Sequence, residues 1–135
     1  MFVTLLHDAN GQLRRLLAAC SRWARDFRDW YQLPSISELR SRKLLREWLS
    51  PEQLAQYDAH NYFEVTGCHT GKRYRIRHGI GANICELDDD GLPKMGWCFV
   101  PKDNLVAGDV MLAQKIALET DERSALAVAH NFMPR

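Results

Sequence analysis

Between Leu13 and Tyr31 apolar residues return at three- and four-residue steps: Leu13, Leu16, Leu17, Cys20, Trp23, Ala24, Phe27, Trp30 and Tyr31. That spacing predicts one stripe of a long amphipathic helix, with Asp8 or Asn10 to cap its start. At about 100° per residue, Arg14, Arg15, Arg22, Arg25 and Arg28 fall off the stripe, with only Asp26 and Asp29 beside them. Leu33-Pro34 ends the pattern, because the residue before a proline avoids the α region. Ser35-Ile36-Ser37-Glu38 then reads as a capping box that opens a second helix to about Leu49. A second box, Ser50-Pro51-Glu52-Gln53, places proline where its missing N–H costs nothing and predicts a third short helix through Tyr57.

After His60 the period drops from helical to two. Residues 62–65, 73–77, 82–87 and 94–100 read as four short strands, separated by turns at 67–71, 78–81 and 88–91. Connections this short favour antiparallel pairing, since parallel strands need longer crossovers, and Asp90-Gly91 is the strongest of the hairpin signals. Asp109 is expected to cap a helix over 110–118. Thr120, Asp121 and Glu122 are expected to open a last helix to about Phe132, with His130 as a cation near its negative end. The expected fold class is α+β: N-terminal helices, a four-stranded antiparallel meander, and two C-terminal helices packed on one sheet face. Residues 1–33 form a basic amphipathic helix and 34–135 a compact domain, together one folded unit.

Composition narrows the function. The 135 residues suffice for one core, and 46% hydrophobic with 26% charged residues is the make-up of an ordinary globular domain. Eighteen basic against 17 acidic residues excludes a polycation or an acidic disordered tail. Apolar runs stop at five or six residues, against about twenty for a bilayer span, so no membrane association is expected. No secretory pattern precedes Arg14 and Arg15, and a cytoplasmic location follows as the expectation. Charge is nevertheless uneven, 9 basic to 5 acidic over the first fifty residues and 9 to 12 over the remainder. A basic N-terminal region points to an acidic protein surface or to nucleic acid.

From Leu44 onward the chain reads Leu-Leu-Arg-Glu-Trp-Leu-Ser-Pro-Glu-Gln, then Tyr62-Phe63-Glu64-Val65-Thr66-Gly67, then Thr70-Gly71-Lys72-Arg73-Tyr74-Arg75-Ile76-Arg77-His78-Gly79. Asn83, Trp97-Cys98-Phe99-Val100-Pro101 and Gly108-Asp109-Val110-Met111-Leu112-Ala113-Gln114-Lys115 complete the pattern. These residues resemble a set of short, uncharacterised bacterial proteins. The resemblance covers roughly the last two thirds of the chain, leaves the basic first helix outside, and implies one folded unit from about Leu44 to the end. It transfers no mechanism.

Several groups of residues invite a chemical reading. Arg73, Arg75 and Arg77 share one strand face and lie about 7 Å apart, a spacing at which each can meet a phosphate. Pairing with Glu64 and Glu86 on neighbouring strands explains the same arginines without a ligand. Gly67-Cys68-His69-Thr70-Gly71-Lys72-Arg73 has the glycines and lysine of a phosphate loop, but it is one residue short, lacks the following Ser or Thr, and leads into a strand. Cys68, His69, His78, Cys85 and Cys98 all lie in or beside the meander, yet without a paired-ligand knuckle no zinc site is expected, and the four cysteines read as reduced core thiols. A Cys–His nucleophile from Cys68 or Cys98 with His69 or His78 has no motif to supply its oxyanion hole or orienting group. The run 88–91 lacks the acidic ligand of a calcium loop, since Trp97 stands where it would be. Gln114 and Lys115 read as the polar face of a helix.

The leading expectation is therefore a non-enzymatic interaction or accessory module with no cofactor and no metal. It engages a protein partner or a second copy through the helix face of Trp23, Phe27, Trp30 and Tyr31. The alternative is nucleic-acid binding through Arg14, Arg15, Arg22, Arg25, Arg28, Arg73, Arg75 and Arg77. A metal-binding or Cys–His enzyme is the third reading.

Overall fold

Both predicted capping boxes form. In the computed structural model, which describes residues 12, 14–22 and 34–134, the Ser35 hydroxyl accepts from Glu38 N–H at 3.2 Å, and Glu38 reaches back to Ser35 N–H at 3.1 Å. Ser50 and Gln53 repeat the exchange at 3.2 and 3.1 Å. Two orphan donors at each helix start are thereby satisfied.

The chain divides into two compact units, 1–34 and 35–135. In the first, residues 14–22 are helical (α1), and every one of them is exposed. Leu13, Trp23, Arg25, Phe27, Arg28, Trp30 and Tyr31 lie outside the described residues.

The second unit runs α2 (Ile36–Trp48), α3 (Pro51–His60), β1 (Tyr62–Thr66), β2 (Arg73–Arg77), β3 (Ile84–Leu87), β4 (Pro93–Cys98), α4 (Ala107–Thr120), α5 (Glu122–Val128) and β5 (His130–Phe132). The α+β class holds, and the strands form an antiparallel sheet in the order β1-β2-β3-β4-β5. Register aligns Phe63 with Ile76 and Ile76 with Ile84, and Val65 with Tyr74 and Tyr74 with Glu86. Because successive side chains alternate, one face carries this set, in which every residue but Glu86 joins Leu45, Tyr57, Met111, Leu118 and Ala125 from α2 to α5 in the hydrophobic core. The other face carries Tyr62 and Glu64 from β1, Arg73, Arg75 and Arg77 from β2, and Cys85 from β3.

The structure corrects several expectations. The described sheet has five strands rather than four. The last helix stops at Val128, and His130 to Phe132 instead pair with β4, so His130 is not at a helix end. Gly96 makes this pairing fit, because a Cβ there would lie 2.3 Å from the Phe132 ring. Helix α4 starts earlier than expected, at Ala107 behind Val106, and Asp109 sits in its first turn without capping it. Gln114 is buried, not solvent-facing, and exchanges two hydrogen bonds with the Asn83 amide at 2.8 and 2.9 Å. Strand β3 starts at Ile84 because Ala82 adopts a left-handed φ of 49°. Of the cysteines, Cys20 and Cys68 are exposed and only Cys85 is buried.

Candidate functional site

The turn between β1 and β2 is closed by Gly67 N–H donating to Lys72 O at 2.8 Å and Gly71 N–H donating to Gly67 O at 3.0 Å. Gly71 supplies the left-handed residue, at φ 71°. Closure in this form turns the N–H groups of His69 and Thr70 the same way, and both donate to Glu122 Oε2, at 2.8 and 2.9 Å. Glu122 Oε1 accepts from the Thr70 hydroxyl at 2.5 Å and from the Tyr74 hydroxyl at 2.6 Å. The loop that resembled a phosphate loop in composition does cradle an anion, and the anion is the chain's own carboxylate.

Glu122 is wholly buried, and four donors occupy the acceptor positions of its two oxygens. Burial opposes its ionisation. The hydrogen bonds from the Thr70 and Tyr74 hydroxyls and the two N–H groups outweigh burial and hold the carboxyl down at about 2. Burial and the same carboxylate push the Tyr74 hydroxyl far above its ordinary value, so it stays protonated as a donor. Gly67 is required by close approach: a Cβ there would stand 2.3 Å from the Glu122 carboxyl carbon.

Beside this knot lie two polar side chains, Cys68 and His69. Cys68 Sγ is 3.7 Å from His69 Nδ1 and accepts from Glu122 N–H at 3.4 Å. His69 Nδ1 accepts from Arg123 N–H at 3.3 Å, which leaves the ring proton of the neutral imidazole on Nε2. The ligand atoms of Cys68, His69 and Glu122 lie within 4.8 Å of one another and form the one such group among the described residues. His78, Cys85 and Cys98 do not join it. His78 Nδ1 instead meets the Tyr57 hydroxyl at 3.1 Å. No local pattern marks Glu122 as part of this group, because it lies more than fifty residues from Cys68 and His69 and by its neighbours is only a helix-start charge.

The arginine strand has a different character. Arg75 donates to Glu64 at 3.1 Å and lies 4.4 Å over the Tyr62 ring, while Arg73 reaches the other Glu64 oxygen at 3.6 Å. Glu86 points to the core face and pairs with Lys72 at 3.0 Å instead of with an arginine. Arg77 is exposed. Arg73 also lines a polar groove of about 460 Å³ whose other charged residues are Glu52, Glu64 and Glu119. A separate groove of about 270 Å³, between the 99–105 segment and helices α4 and α5, is lined by Phe99, Leu105, Val110, Ala117 and Val128 with no charged residue.

The fold and these sites define an α+β protein with a buried carboxylate knot, a charge-paired sheet face and an apolar groove. The chain matches no known protein family, no curated protein and no solved structure. Among the described residues, no helix is long and apolar enough to cross a membrane.

Proposed function

We propose that the chain is a non-enzymatic interaction module that associates with a second copy of itself through the apolar stripe of its N-terminal helix. The observation that carries this reading is the exposure of α1, where Leu16 and Leu17 are 64% and 62% exposed. At about 100° per residue, Arg15 and Arg22 lie across the helix from Leu16, Leu17 and Cys20. Two copies therefore bring their stripes together with Arg15 and Arg22 turned outward, and a twofold arrangement buries the same leucines from both sides.

Support for nucleic-acid binding is weaker. Glu64 takes up the charge of both Arg73 and Arg75, and the groove that Arg73 lines adds two further carboxylates, Glu52 and Glu119. Such binding also predicts a steep loss of affinity with salt, whereas association through apolar surface withstands salt.

Sedimentation velocity of the full chain across a concentration series tests the proposal. The expected result is a mass that rises toward a dimer, unchanged by salt, and reverts to monomer in the Leu16→Glu/Leu17→Glu variant. A monomer at every concentration overturns it.

A further inference from the structure

Glu122 presents an electrostatic imbalance. It is a fully buried carboxylate, yet among the described residues no cation lies within ion-pair distance of it, and its four hydrogen bonds come from neutral N–H and O–H groups. Buried charges are as a rule paired or bound to metal. Two further ligand-bearing side chains, both exposed to solvent, stand directly beside this anion.

We propose that Cys68, His69 and Glu122 form a binding site for a divalent zinc-type cation. The spacing suits it. With zinc–sulfur and zinc–nitrogen bonds of about 2.3 and 2.0 Å, the sulfur-to-nitrogen edge of a tetrahedral site is about 3.5 Å. Cys68 Sγ and His69 Nδ1 stand 3.7 Å apart. The carboxylate of Glu122 lies within 4.8 Å of both ligand atoms, so a shift of about an ångström by the exposed Cys68 and His69 side chains brings one of its oxygens into the same sphere.

Binding releases the Cys68 thiol proton to solvent, and the thiolate and the carboxylate then neutralise the two charges of the cation. Nitrogen Nδ1 is already the unprotonated one, and it exchanges its long bond from Arg123 N–H for the metal. At the carboxylate, the cation takes the place of the Thr70 hydroxyl, which is on an exposed residue and turns to water. The bonds from His69 N–H, Thr70 N–H and the Tyr74 hydroxyl remain and orient the carboxylate. Glu122 N–H continues to donate to the Cys68 sulfur. Three protein ligands leave a fourth position facing solvent, and the cation joins the β1–β2 turn to the start of α5.

The test uses the full, reduced chain titrated with Co²⁺ as a spectroscopic stand-in and with Zn²⁺ in competition. The expected result is one Co²⁺ per chain with a sulfur-to-cobalt charge-transfer band, displaced by Zn²⁺. Cys68→Ser abolishes the band, His69→Gln weakens binding about tenfold or more, and Cys20→Ser leaves both unchanged. Both test positions are exposed, and the thermal melt of each metal-free variant confirms its folding. Absence of the band in the wild-type chain overturns the proposal, as does a band that survives Cys68→Ser.

Discussion

Glu122 shows how much one side chain organises here. Its carboxylate joins the β1–β2 turn, β2 and α5 through four donors, and hydrogen bonds to a charged group each contribute about 1.5–3 kcal/mol. Glu122→Gln is expected to destabilise the fold by about 2–3 kcal/mol near neutral pH, because the new NH₂ group faces donors. The pH dependence follows from the lowered carboxyl. Its ordinary value is 4.5 and its folded value about 2, so the contribution is present above the former and is lost as pH falls toward the latter. Denaturant unfolding of both proteins from pH 7 downward should show their stability gap closing across that window. A gap that stays constant would show that the carboxylate's charge is not what the loop recognises. Gly67 was legible in the sequence as a turn residue, but the carboxylate that forbids it a side chain arrives from α5, and no local pattern announces it.

At the scale of elements, helix starts were the most readable feature, because a capping box is complete within four residues. Ser35 with Glu38 and Ser50 with Gln53 form as expected. The start of α4 was misread at Asp109 for the complementary reason: its N-cap, Val106, makes no side-chain bond, so nothing local marks it. What positions α4 is its packing on α2. A Cβ on Gly108 would fall 2.2 Å from Ser41 Oγ and 2.8 Å from the Ser41 backbone, and backbone cannot turn aside as a side chain does. Gly108→Ala is therefore expected to force the two helices apart at a cost of about 2–3 kcal/mol in denaturant unfolding. A neutral result would contradict this close approach. Strand β5 was missed because three residues are too few to show a period, and it exists by pairing with the open edge of β4 across the space left by Gly96.

At the scale of the molecule, the clustered buried residues among those described all belong to the second unit, from Leu45 on α2 to Ala125 on α5. A chain beginning at Ser35 is expected to melt cooperatively, within a few degrees of the full-length protein, by circular dichroism. Loss of cooperativity would mean that the first unit completes the core. The distribution of charge belongs to this scale too. The first 34 residues hold five arginines against three aspartates, and the rest hold 13 basic against 14 acidic residues. The sequence shows that asymmetry, but not that Arg73 and Arg75 share Glu64, which depends on the β1–β2 register.

By itself the sequence determined the α+β class, the helix starts at Ser35 and Ser50, the arginine face of β2, and the turn at Gly67 to Gly71. Each of these rests on interactions between residues close in the chain or on a simple period of two or about 3.6. Tertiary structure decided which turn meets which helix. It set the Glu122 carboxylate in the amides of His69 and Thr70, paired the amides of Asn83 and Gln114, and laid Phe132 over Gly96. Those contacts join residues some thirty to more than fifty positions apart. They form because the packed core leaves buried polar groups and open space that only a distant part of the chain can satisfy.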